Sequence, residues 1–256
     1  MDWGNSPMAF FKDRYSKPGP GIEKDEPKKT GVALFFSILG REFFSLFKLN
    51  LLFLLFSIPI VTIPAALTAM SKITLHMVRD ENYFMWSEFW ETWKKEFLKS
   101  LGAGALLVVL IGLSIISIQF YTLNTSQNML VYVPLALSWL LCFLGIVAGF
   151  YIFPMIALMN FPLKTSIKNS FLLVMVRLPY NLLVLAIIIV VGFLMVAFFP
   201  LTVPLLFVAL FAILNLIAVF CAYSGMEKYV ISSDAQMENP SVEKLDERHS
   251  NERENR

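Results

Sequence analysis

Two long stretches of this chain carry no charged side chain at all: residues 100–163 and residues 178–226. A helix rises about 1.5 Å per residue, so roughly 20 apolar residues cross a bilayer once. Each stretch therefore predicts a pair of spans. The first pair folds back at TLNTSQN (residues 122–128), whose amides and hydroxyls suit water, and the second near FFPLTVP (residues 198–204), where two prolines break the helix. The predicted spans are 101–122, 130–158, 181–199 and 203–223. Composition agrees: 57% of the 256 residues are hydrophobic and 16% charged, and mean hydropathy is +0.66, too little polar surface to coat a soluble enzyme. Since 21 basic residues face 19 acidic ones, there is no basic field for nucleic acid. Cys142 and Cys221 lie in apolar runs without metal-type spacing, which points to packing.

Residues 1–30 mix prolines with charges and show no apolar run after a basic start, so they read as a cytoplasmic disordered arm and not as a signal peptide. Residues 31–230 read as the transmembrane helical domain and 231–256 as a cytoplasmic charged tail. The uncharged segment 49–71 is either one span or the tip of a hairpin. A single crossing would put the eight bases between Lys12 and Lys48 across the membrane from the other thirteen, whereas a hairpin turning at IPIVTIP (residues 58–64) keeps all 21 together. The expectation is an all-α, polytopic integral membrane bundle of six passes in the cell membrane, both termini cytoplasmic, with five passes as the alternative. A re-entrant hairpin over residues 43–78 stays open. In the turn, Pro59 and Pro64 lack N–H groups, and the Thr62 hydroxyl between them is placed to satisfy a freed carbonyl.

No Asp or Glu occurs between Glu96 and Glu227, which removes the intramembrane carboxylate of an ion-coupled carrier, paired acids for hydrolysis and most metal ligands. No GxxxxGK[ST] loop is present. No cofactor or catalytic residue is expected. Thr68, Lys72 and His76 recur every four residues, with Arg79 one turn on, and form a polar stripe that either touches a ligand or subunit, or is a helix end whose long side chains snorkel. Trp86, Phe89, Trp90, Trp93 and Phe97 share one face of a helix with Glu88, Glu91, Lys94 and Lys95 on the other; this reads as an interfacial anchor or a docking face for a partner. A second amphipathic piece, residues 162–179, either couples to a partner ATPase or simply joins two spans. Asn215 and Gln119 are expected to hydrogen-bond between helices.

The stretch LNLLFLLFSIPIVTIPAALTAMSKITLHMVRDENYFMWSEFWETWKKEF, residues 49–97, resembles the YesL family of bacterial membrane proteins in its LNLL run, its SIPIVTIPAA turn, its LHMVRDE helix end and its aromatic FW helix. That family often has glycine where Pro64 stands and an aromatic where Lys72 stands. The resemblance implies a multi-pass protein often encoded beside sugar ABC importers and polysaccharide-degrading enzymes, and carries over no catalytic residue. The functional expectation is a non-catalytic membrane protein assisting carbohydrate uptake, in contact with the lipid bilayer and with ABC permease or ATPase subunits. The alternative is a self-sufficient channel or facilitator.

Overall fold

Apolar runs become nine helices among the residues that the computed structural model describes, 31–123, 129–159 and 161–231. The expectations for the arm at 1–30, for the fold-back at 124–128 and for the tail beyond 231 fall outside those residues. The chain divides after Phe36; of the part before it, the described residues are Gly31, at φ 61°, and the first turns of α1 (Val32–Arg41). Next come α2 (Phe43–Phe56), α3 (Ile63–Arg79), α4 (Met85–Lys95), α5 (Phe97–Leu123), α6 (Tyr132–Leu158), α7 (Leu163–Val176) and α8 (Leu178–Ala197). The last, α9 (Val203–Val230), is interrupted by π-helical turns at Leu206–Leu210 and Glu227–Ile231.

Five helices are long and apolar enough to cross a membrane: α3 with its preceding 3-10 turn, α5, α6, α8 and α9. Six long helices are not found among the described residues, so the six-pass expectation gives way to the five-pass count. The reason is local. The chain breaks at Glu42, which leaves α2 with 14 residues, about 21 Å at 1.5 Å per residue and short of a ~30 Å hydrocarbon core. The single early span at 49–71 is not formed either, because α2 stops at Phe56 and α3 restarts at Ile63, past Pro59 and with Pro64 in its first turn. Thr62 Oγ1 lies 2.6 Å from both Phe56 O and Pro59 O, so its one proton serves carbonyls freed at the turn.

The core centres on α6. Val147, Ala148, Tyr151, Ile152 and Met155 are buried against Leu75 of α3, Ala103 and Leu107 of α5, Leu173 and Val174 of α7, and Val219 and Ala222 of α9. The contacts of His76 with Glu88, Thr68 with Ser100 and Pro64 with Gly104 advance on one side as they retreat on the other. Helix α3 is therefore antiparallel to the α4–α5 segment. Burial takes in 56% of the α3 span but only 11% of the α8 span; the apolar surface of α8 suits lipid.

One side chain ties the hairpin to the end of the chain. Asn50, fully buried on α2, donates from Nδ2 to Leu206 O at 2.8 Å and Phe207 O at 2.9 Å and accepts at Oδ1 from the Ala212 N–H at 3.2 Å. Leu206 and Phe207 open the π-helical turn and Ala212 follows it, where the regular i→i−4 ladder is displaced. Replacing Asn50 by Leu leaves three backbone groups without this partner, and the Asn50→Leu chain is expected to lose about 2–3 kcal/mol of stability. Unfolding in detergent followed by circular dichroism measures this; a loss below about 0.5 kcal/mol would mean that the turn satisfies itself.

Candidate functional site

Helix α3 carries Pro64 in its first turn, where the missing N–H costs nothing. It ends at Asp80 in a left-handed conformation (φ 56°), which a short polar side chain tolerates. The Asp80 and Glu81 N–H groups both return to His76 O. That reversal brings Glu81 back beside the His76 ring, with Oε2 2.8 Å from Nδ1. Glu88 arrives from the other side: its Oε1 accepts from the Phe84 N–H at 3.1 Å, capping the start of α4, while its Oε2 lies 2.8 Å from His76 Nε2. This second contact is close enough for a charge pair but lacks hydrogen-bond alignment, since both atoms are buried without an aligned partner. His76 thus stands between two carboxylates and stacks on Tyr83, with ring centroids 6.2 Å apart.

A charge network surrounds it. Arg79 reaches Glu81 at 2.8 Å, and Arg41 reaches Glu42 at 3.1 Å and Asp80 at 2.9 Å, so the break at Glu42 is fastened to the α3–α4 loop. Tyr83 donates to Glu42 Oε2 at 3.1 Å; burial first, then the Glu42 charge, pushes its phenol above the usual tyrosine range.

Beyond His76 opens a cavity of about 320 Å³, walled by Lys72 and His76 of α3, by Glu88, Glu91, Thr92 and Lys95 of α4, by Glu96, and by Ile156–Leu158 at the end of α6. Glu96 is only 5% exposed and pairs with Lys99 at 2.9 Å. Among the described residues, neither Lys72 nor Lys95 has an ion-pair or hydrogen-bond partner. Such a cavity can receive a charged group. No cluster of three or more His, Cys, Asp or Glu side chains among the described residues is arranged to hold a metal ion.

The four-residue stripe divides. Thr68 is fully buried, donates or accepts with Ser100 Oγ at 2.7 Å and bonds to Pro64 O; it is part of the packing. Lys72 and His76 face the cavity, and Arg79 is exposed beside it in its pair with Glu81. Pro59, Thr62 and Pro64 form the turn at the other end of α3. The aromatic face of α4 does not stand open: Phe56 lies within 5.2–6.2 Å of the rings of Trp86, Phe89, Trp90 and Trp93, Trp93 packs on Phe97, and Phe89 is buried. Trp86 remains 60% exposed, and Lys94 lies 4.2 Å over the Trp90 ring. Asn215 bridges Ser71 at 3.2 Å and Thr74 at 3.0 Å. Gln119, expected to do likewise, is exposed and bonds to no neighbour among the described residues, because it lies on the outward face of α5.

Sequence reading passed over Asn50, whose bonds reach residues more than 150 positions away, and Asn181, which accepts from the Tyr151 hydroxyl and donates to Val174 O. It also passed over Glu88 and Glu96 as walls of a cavity. Only their helical register against Lys72 and His76 could have signalled them.

The model of the family described as protein of unknown function, DUF624, matches residues 46–118. This is the YesL family that the sequence resembles. The matched segment runs from α2 into α5 and includes Asn50, the proline turn, Lys72, His76 and Glu88. No curated protein matches the chain, and no solved structure does.

His76 holds α4 against α3 through Glu88, so His76→Leu is expected to loosen α4 by about 1–2 kcal/mol. Emission of the α4 tryptophans should shift to the red, and cleavage by an added protease between Asp80 and Phe84 should quicken. Lys72→Met, which touches no partner, should change neither; equal effects from both would sink the latch.

Proposed function

We propose that this chain is a non-catalytic integral membrane protein that assists carbohydrate uptake as an accessory partner of a sugar ABC importer. One observation carries the reading against a self-sufficient channel: among the described residues, the buried polar side chains of α3, α5, α6 and α8 are consumed by one another, by Asn215 or by backbone carbonyls. Thr68 is spent on Ser100, Asn215 on Ser71 and Thr74, and Tyr151 on Asn181. Ser114 and Ser138 turn back onto the carbonyls of Leu110 and Pro134 in their own helices. A solute path needs groups left free to exchange partners with it. The charged residues collect instead at one end, on α4 and in the cavity beside it, where a partner has access.

The carbohydrate and importer parts of the reading rest on the YesL resemblance, which associates such chains with sugar importers. Two surfaces offer themselves for docking, the exposed Trp86 edge of α4 and α7 with its exposed Lys164 and Lys168. In this reading α4 and α7 face the cytoplasm.

Two measurements test it. The purified chain reconstituted in vesicles should pass no labelled mono- or disaccharide, while its mild solubilisation from native membranes should bring permease subunits with it. Sugar flux by the chain alone would replace the accessory with a facilitator. Orientation is read separately: cysteines replacing Ser87 and Lys168 should resist a membrane-impermeant thiol reagent in intact cells, and one replacing Ser126 should label. The opposite pattern inverts the protein and removes α4 and α7 as cytoplasmic docking surfaces.

A further inference from the structure

We propose that the cavity between α3, α4 and the end of α6 binds a phosphate-bearing anion, with Lys72 as its anchor. The headgroup of an anionic phospholipid is the source its position favours.

Lys72 supplies the first reason. It is half-buried on a helix long enough to span a membrane, and no acid approaches it within ion-pair distance among the described residues. An unpaired ammonium withdrawn from water is costly, so the arrangement calls for an anion from outside the chain. A lysine, a compact point charge with three donors, suits a phosphate oxygen.

The acids of the same cavity do not fill that need. Glu88 accepts from the Phe84 N–H and lies against His76, and Glu96 is held by Lys99. Glu91 is the remaining acid, and it is exposed and offset by Lys95, which also lacks a partner. Among the described residues neither Glu88, Glu91 nor Glu96 comes within ion-pair distance of Lys72, so its ammonium is left for an anion from outside the chain.

Position supplies the second reason. Helix α5 begins at Phe97 and α6 ends at Leu158, so the cavity lies where two of the long apolar helices terminate, next to the tryptophan-bearing α4. That is the level of lipid headgroups, where basic pockets between helices take anionic lipids. Its volume of about 320 Å³ is on the order of ten times the ~30 Å³ share of one water, room for a phosphodiester with its glycerol. This inference does not depend on the proposed role in uptake.

The test uses the full chain in detergent with equal amounts of phosphatidylglycerol and phosphatidylcholine, and native mass spectrometry counts the lipid retained. The wild type should keep one phosphatidylglycerol with a preference of about fivefold, the effect of one lysine near an anionic headgroup. Lys72→Met should bring the preference to about unity, Lys72→Arg should keep most of it, and Lys94→Gln, on α4 outside the cavity, should leave it intact. Should Lys72→Met fail to fold, Lys95→Gln reads the same cavity and should lower the preference. Added inorganic phosphate separates the sources: displacement of the retained lipid assigns the site to free phosphate, and retention assigns it to the headgroup. No preference in the wild type, or equal loss in Lys72→Met and Lys94→Gln, overturns the proposal, since generic surface attraction would then account for the binding.

Discussion

A chain placed in hydrocarbon must satisfy its backbone from within, and everything irregular in this fold depends on how that is done. One irregularity is the π-helical turn of α9 just beyond Pro204. Asn50 answers it with both ends of one amide. Because Asn50 is on α2, the repair also fixes where the hairpin sits, and Phe53 against Phe211 extends the same contact with rings 5.4 Å apart. The hairpin turn needs a smaller repair, which the Thr62 hydroxyl supplies. A neighbouring device works at the α7–α8 junction, where Arg177 donates to Cys221 O at 2.9 Å and to Ser224 Oγ at 3.2 Å and lies over Tyr180.

The charged end follows a different rule. There, water is near, and acids and bases are arranged in short chains: Arg41 with Glu42 and Asp80, Arg79 with Glu81, His76 between Glu81 and Glu88. Single exposed pairs of this kind contribute little. They gather at the α3–α4 loop, and the His76–Glu88 contact is the one of them that reaches α4, beside a cavity whose walls carry Lys72 and Lys95 without partners among the described residues.

Much of the bundle was legible in hydropathy alone. The four later spans, the amphipathic α7 and the proline turn follow from runs of apolar residues and from what proline does to a helix. The first arm was not legible, because counting apolar residues across 32–56 gives no sign that the helix divides at Glu42, where Arg41 and Glu42 engage Asp80 and Tyr83 some 40 positions away. Four-residue spacing put Thr68 with Lys72 and His76 but could not say that Ser100 would seal Thr68 into the core while α4 opened beside the other two. Asn50 was invisible for a related reason: a polar residue in an apolar run reads as an exception until its partner at the other end of the chain is known.

The close approach of α3 to α5 has one more consequence. A Cβ at Gly104 would overlap the ring of Pro64, so the two positions share a single volume that only one of them can occupy. A side chain at 104 therefore has room only once the ring at 64 is gone, and the reverse order drives the added carbon into the turn. Of the two substitutions, the one in the turn has to come before the one in the span.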